Sequence, residues 1–231
     1  MRFDLHIHSN HSSDSNLSVD DILKQAIEKG LHGIAICDHN TINGSIRARE
    51  RVRELNLSLI VLPGIEVSTT KGHLIILGVN ENIAAYLSPE ETIKIARRKG
   101  GLVIAVHPFK FQGIGNVENL DVDAIETFNS RCLFGENDKA KEMATRLGKP
   151  EVGGSDSHML STIGFGFTDI EAARPSEGSV LSAIREGKTT SGGCKAPSHV
   201  IVIQVIRGVL RRCHKNGRKI YSKILNKNKA N

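Results

Sequence analysis

Tryptophan is absent from this 231-residue chain, and aromatic residues make up only 4% of it. Any core must therefore be built from aliphatic side chains. A hydrophobic content of 39% is enough for one, which excludes an intrinsically disordered chain. Cysteine is scarce: Cys37, Cys132, Cys194 and Cys213 lie far apart and form no C-x-x-C pair. That argues against a disulfide framework or a thiolate zinc site and predicts reduced thiols. No apolar run approaches the ~20 residues of a spanning helix. Met1 leads straight into "RFDLHIH" with no basic region followed by an apolar stretch, so no signal peptide is legible and a cytoplasmic protein is expected. A glycine-rich dinucleotide loop and a G-x-S-x-G nucleophile elbow are also missing.

Acidic residues are missing from one region only. Residues 187–231 carry 11 Lys and Arg and no Asp or Glu, leaving 20 basic against 25 acidic residues in 1–186. A mildly acidic body followed by a strongly basic tail predicts two parts, a domain over 1–195 and a tail over 196–231.

Within the body, apolar β-branched runs alternate with segments of helical period. Strands are predicted at 2–8, 33–39, 59–67, 73–79, 102–108, 124–128 and 151–158. Ser18 followed by Asp21 opens one helix, and Ser88-Pro89 with Glu91 opens another. "NDKAKEMATRLG" and "SEGSVLSAIREG" are two more, each ending on glycine. Strand–helix alternation predicts an α/β fold with parallel strands, and seven strands fit a closed barrel better than an open sheet.

Histidines and carboxylates fall at strand ends. His6 and His8 close the first strand, Asp38 and His39 the second, Glu66 the third, His107 the fifth, and Asp156 with His158 the last. Ends of parallel barrel strands converge on one mouth. His73 begins its strand and would reach that mouth from a loop, while the sixth strand offers no ligand. H-x-H suits a metal because alternate strand residues project to the same side. Any one of these histidines alone reads more readily as a core or surface residue than as a ligand, but the joint pattern points to bound metal.

The segments "DLHIHSNHSSDS", "AICDHNT", "PGIEVS", "HLIILG", "AVHP" and "GGSDSH", in this order over roughly residues 1–170, resemble the motifs of the PHP (polymerase and histidinol phosphatase) family. The resemblance implies a distorted seven-stranded TIM-like barrel with two or three metal ions at one end. It assigns His6, His8, Glu66 and Asp156 to a first ion. Glu66, His73 and His107 go to a second, with Glu66 bridging, and Asp14, His39 and His158 to a third. His11 competes with Asp14 for that last place. Asp38 is expected to orient its neighbours. His32, His199 and His214 match no motif and default to structural or surface roles.

A nitrogen- and carboxylate-lined site suits zinc, manganese or iron. The expected reaction is hydrolysis of a phosphate ester by a metal-bound hydroxide, which needs no nucleophilic Ser or Cys. Asp156 and His158 are candidates for proton transfer. Arg131 and Lys110, each just beyond a strand, are candidates for binding the substrate phosphate, with solvated surface charge the open alternative. The arrangement "HSNHSSDS" resembles the nucleotidase and 5′→3′ exonuclease branch, which implies nucleotides or 5′ ends of nucleic acid as substrates. Histidinol phosphatases tend to carry another histidine where Asp14 stands. Two alternatives stay open, a histidinol phosphatase and a metal-stabilised nucleic-acid-binding protein without catalysis.

In the tail, Ile206, Val209, Leu210, Cys213, Ile220, Tyr221, Ile224 and Leu225 recur at helical spacing, with Arg and Lys on the other sides. Three readings remain for it. It is a terminal helix packed on the barrel, a nucleic-acid contact, or an in-plane membrane helix.

Overall fold

The structure is a computed structural model that describes residues 1–204 and residue 206. The seven predicted strands all form: β1 (Arg2–Ile7), β2 (Gly33–Ile36), β3 (Ile60–Ser68), β4 (His73–Leu77), β5 (Leu102–Ala105), β6 (Ala124–Asn129) and β7 (Glu151–Gly154). Two further short strands, β8 (Gly166–Ile170) and β9 (Thr189–Gly193), extend the sheet beyond β1. The order is β7-β6-β5-β4-β3-β2-β1-β8-β9. Just past β7, Ser157 bridges in parallel to Ile7, and its backbone exchanges hydrogen bonds with His6 and His8. The seven-stranded sheet thus nearly closes into a barrel.

β8 and β9 pair antiparallel, and among the seven predicted strands one departs from the all-parallel expectation. β1, β2 and β3 run parallel, as do β5, β6 and β7, but β4 pairs antiparallel with both β3 and β5. Only Thr69–Gly72 separates Ser68 from its partner His73. Four residues close a hairpin but cannot make the crossover that a parallel pair needs.

The helices follow the local signals. α1 (Val19–Glu28) starts at Ser18, whose hydroxyl accepts from the Asp21 amide. α3 (Pro89–Arg98) starts with the reciprocal Ser88–Glu91 capping box. α4 (Glu136–Leu147) stops at Gly148 in the left-handed region, where glycine has no steric penalty. α5 (Glu177–Arg185) follows β8. α2 (Asn43–Glu54) carried no readable start: its N-cap is Ile42 without a side-chain hydrogen bond, and its buried face is only Gly44, Ser45 and Ala48. Small residues let α2 lie close on the sheet, and the Ser45 hydroxyl accepts from the Gly64 amide at 3.0 Å.

Apolar packing divides into an outer and an inner part. α1 and α2 cover one side of the sheet with Ile22, Leu23 and Ala48 against Ile34 and Ile36. α3 and α4 cover the next with Ile93, Ala96, Ala140 and Met143 against Ile76, Val103 and Ile125. Phe3, Leu5, Leu62, Leu77 and Leu102 form the inner cluster, into which α5 inserts Val180, Leu181 and Ile184. Leu77 ends β4 and Leu102 begins β5, so α5 fills the end of the barrel opposite His73 and His107. The other end is left for polar side chains.

No helix among the described residues is long and apolar enough to cross a membrane. Cys37, Cys132 and Cys194 are free thiols. The basic, amphipathic part of the tail from residue 207 onward lies outside the described residues, as does His214.

Candidate metal centre

β1 is buried along nearly its whole length, and its alternation sends Phe3 and Leu5 into the inner apolar cluster. Asp4 and His6 have the opposite parity, and His8 follows just beyond the strand. Both imidazoles are fully buried, with Nε2 of His6 3.1 Å from Nε2 of His8. His39, beyond β2, bridges in parallel to Glu66 on β3. His107 lies beyond β5, and Asp156 and His158 beyond β7. Because β4 is antiparallel, its first residue is at the same end as the last residues of its neighbours. His73 therefore meets the others from within its strand rather than from a loop.

Glu66 is the hub. Its Oε1 is 2.9 Å from Nδ1 of His73 and 3.3 Å from Nε2 of His107. Its Oε2 is 3.2 Å from His39, 3.3 Å from His8 and 3.6 Å from His6. Asp14 Oδ2 lies 3.3 Å from Nε2 of His39 and 3.5 Å from Nε2 of His158. His11 is exposed and belongs to none of the donor groups. Asp156 Oδ1 completes the set, 3.5 Å from Nε2 of His8. Compact donor groups form from His8, Asp14, His39 and His158, from His6, Glu66 and His107, from His6, His8 and Asp156, and from His39, Glu66 and His73. The nine residues singled out in the sequence thus converge, with His6, His8, His39 and Glu66 each shared between two groups.

Six imidazoles stack and tilt against each other with centroids 4.4 to 5.9 Å apart. The Nδ1 atoms of His8 and His107 and Oε2 of Glu66 are buried without a hydrogen-bond partner among the described residues. Leaving such atoms unsatisfied costs about 1–3 kcal/mol each, and cations among them would remove that cost. An all-nitrogen-and-oxygen donor set with no thiolate nearby fits divalent ions of the zinc, manganese and iron kind. His107 and Asp156 also hold positive φ angles of 30° and 52°. Such strain in non-glycine residues gathers at functional sites.

Electrostatics divides the cluster. Burial opposes charge on Asp14, Glu66 and Asp156, yet all three lie well below the ordinary carboxylate range. His158 and His39 do this for Asp14, His39, His107 and His6 for Glu66, and Arg131 and Lys110 for Asp156. Burial also opposes charge on His39, but Glu66 and Asp14 lift it to about 9. Burial, with His8 and Arg131 adding to it, pushes His158 down to about 4.

Lys110 Nζ donates to Asp156 Oδ2 at 2.6 Å, and Arg131 Nη1 donates to Asp156 Oδ1 at 2.9 Å. Both cations line the same pocket of about 390 Å³ as the cluster, so neither is a remote surface charge.

Sequence reasoning missed three supports. Glu126, on the strand that seemed to offer nothing, puts Oε1 2.9 Å from Nδ1 of His6, and its Oε2 accepts from the His107 amide at 2.8 Å. A carboxylate inside the apolar run "AIETF" was the available signal. Asp4 is fully buried and accepts from the amides of Ser155 and Gly164 at 2.9 and 2.8 Å. Gln204 lines the pocket from beyond the expected domain boundary, and nothing near it in sequence marked it. Asp38 does orient its neighbours, accepting from the amide and hydroxyl of Ser9 at 2.6 Å each. His32 and His199 are exposed and belong to none of the donor groups.

A nine-residue nitrogen and oxygen donor cluster at one end of a distorted barrel defines a protein built to use divalent metal. The family model described as PHP domain matches residues 4–104, and the one described as PHP-associated matches residues 134–189. The chain belongs to the PHP family. It is 38% identical over 143 residues to an uncharacterized protein of Methanocaldococcus jannaschii, covering 56% of this chain and 82% of that one. It is 37% identical over 84 residues to the 5′-3′ exoribonuclease Rnm of Salmonella typhimurium, covering 36% of this chain but only 28% of the relative. Among solved structures, a two-domain protein of Bacteroides vulgatus containing a predicted PHP-like metal-dependent phosphoesterase superposes with a TM-score of 0.71 at 16% identity, over 84% of this chain and 65% of that one.

Proposed function

We propose that this chain is a metal-dependent hydrolase of phosphoric esters acting on nucleotides or on 5′ ends of nucleic acid. The observation that carries the reading is the meeting, in one pocket, of the nine-residue donor cluster with two side-chain cations, Lys110 and Arg131. A cluster of donors alone would suit a structural metal site. Two cations facing the same cavity suit an anionic ligand. Similarity to a protein named as an exoribonuclease supports the nucleic-acid side of the reading.

In this reading His6, His8, Glu66 and Asp156 would hold one ion, Glu66, His73 and His107 a second, and Asp14, His39 and His158 a third. Divalent ions held there would supply charge neutralisation and would lower the pKa of water. The chain supplies the rest. Lys110 and Arg131 each have N–H groups that can turn from Asp156 to phosphate oxygens, the guanidinium in a planar fork suited to them. Asp156 is ionised at neutral pH and so has no proton to give. His158, held near 4, is neutral there, which leaves a ring lone pair for the third ion rather than a proton to give.

The test is phosphate release from nucleoside 3′,5′-bisphosphates, 5′-phosphorylated oligonucleotides and histidinol phosphate, with added Mn²⁺ or Zn²⁺ and with chelator. The expected result is metal-dependent release from the nucleotides, abolished in His107→Ala and Asp156→Ala while circular dichroism keeps the folded spectrum. Release from histidinol phosphate alone would replace the substrate class. No release with any metal would leave a metal-stabilised binding protein, and full activity in the two variants would overturn the mechanism.

A further inference from the structure

A phosphate group fills only a small part of a 390 Å³ cavity, a volume in the range of roughly 300–1,000 Å³ that holds small organic ligands. The rest of the lining is of different chemistry: Phe111, Gln112, Ile201 and Gln204. Phe111 is 89% exposed, although it sits on a well-made turn in which Lys110 N–H donates to the His107 carbonyl and Gly113 N–H to the Lys110 carbonyl. The turn presents an aromatic face to the cavity and buries almost none of it.

Gln204 is the reverse case. It is 5% exposed, and neither its carbonyl oxygen nor its amide nitrogen has a hydrogen-bond partner among the described residues. It lies in the helical stretch 198–204. That stretch is tied to the barrel just before it begins, where the Ala196 amide donates to the Ser130 carbonyl at 2.8 Å, next to Arg131. A buried primary amide with both atoms unpaired is costly unless a ligand completes it. It offers one acceptor beside one donor, which matches the donor–acceptor pairs on the edges of nucleobases. An exposed aromatic face is the matching partner for the flat of a base.

We propose that Phe111 and Gln204 form a nucleobase subsite beside the phosphate-ester centre, with Phe111 stacking on the base and Gln204 reading its edge. The inference rests on the reading of the pocket as a phosphate-ester site and narrows the substrate to one carrying a base next to the phosphate. The base belongs either to a free nucleotide or to the terminal nucleotide of a strand.

The experiment is calorimetric binding of adenosine 5′-monophosphate, ribose 5-phosphate and a 5′-phosphorylated trinucleotide to the full chain, read as the affinity ratio of each base-bearing ligand to ribose 5-phosphate. Wild type should favour the base-bearing ligands tenfold or more. Gln204→Leu, of similar size, and Phe111→Ala, at an exposed position, should each lower the ratio at least fivefold, and Phe111→Tyr should restore it. A larger ratio for the trinucleotide than for the mononucleotide assigns the subsite to a strand end, the opposite order to a free nucleotide. A wild-type ratio near one, or ratios unchanged in both variants, overturns the subsite. Base-selective binding without hydrolysis of any substrate would sink the catalytic reading and leave the subsite, whereas hydrolysis without base selectivity would do the opposite.

Discussion

Glu126 holds Nδ1 of His6 at 2.9 Å, which fixes the ring so that Nε2 faces His8, Glu66 and Asp156. The other carboxylate oxygen accepts from the backbone amide of His107 and from Asn129 Nδ2 at 2.9 Å. One buried carboxylate from β6 therefore sets the direction of two histidines from different strands. Supports of this kind typically change metal affinity by 10- to 100-fold when lost. Glu126→Gln keeps the size but puts an amide nitrogen against donors, and it should weaken Zn²⁺ or Mn²⁺ binding by roughly that factor. Competition with a chelating dye measures it. Wild-type affinity in the variant would mean that His6 is oriented by packing alone.

Gly154 marks how closely β7 approaches β1. A Cβ there would meet the Cβ of His6 at 2.4 Å and its amide nitrogen at 2.9 Å, with Glu126 Oε1 at 3.1 Å. Gly154→Ala must push the His6–Glu126 pair, and overpacking of this sort costs about 1–3 kcal/mol. Gly178, in α5, has nothing within 4 Å of the same added atom, so Gly178→Ala should stabilise by about 0.4–1 kcal/mol through helix propensity. Urea midpoints of the two variants should move in opposite directions.

Asp4 supplies a pH dependence with a defined sign. Burial raises its carboxyl from 3.8 to about 6, against the lowering effect of hydrogen bonds from Ser155, Gly164 and His6. Between those two values the folded chain binds a proton that the unfolded chain has released. Its contribution is therefore intact below pH ~4 and lost as the pH climbs past ~6, amounting to about 3 kcal/mol. The stability of wild type minus that of Asp4→Asn, measured in chelator, should fall by about that much from pH 4 to pH 7. A flat difference would mean that Asp4 titrates at its ordinary value.

The donors were legible in the sequence because the chemistry confines them. Two imidazoles one residue apart at the end of a strand face one side for reasons of backbone period, whereas Asp156, at φ 52° beyond β7, takes its direction from the turn that follows the strand. Strand positions and capped helices were legible for the same local reason, and Ser88 with Glu91 is an example. α2 escaped because its buried face is made of small residues rather than an apolar stripe.

Direction and proximity were not local properties. Whether β4 ran with or against β3 depended on how the Thr69–Gly72 turn closed, and that put His73 inside the cluster. Glu126 and His6 are 120 residues apart in sequence, and Lys110 and Arg131 reach Asp156 across 46 and 25 residues. Gln204 and Phe111 share a cavity only because the chain returns past Ser130. The sequence by itself determined which side chains can carry metal and phosphate chemistry, since residue type and strand period set that. Only the tertiary structure decided which buried groups orient them and which face the remaining space, because those contacts exist only once the barrel has closed.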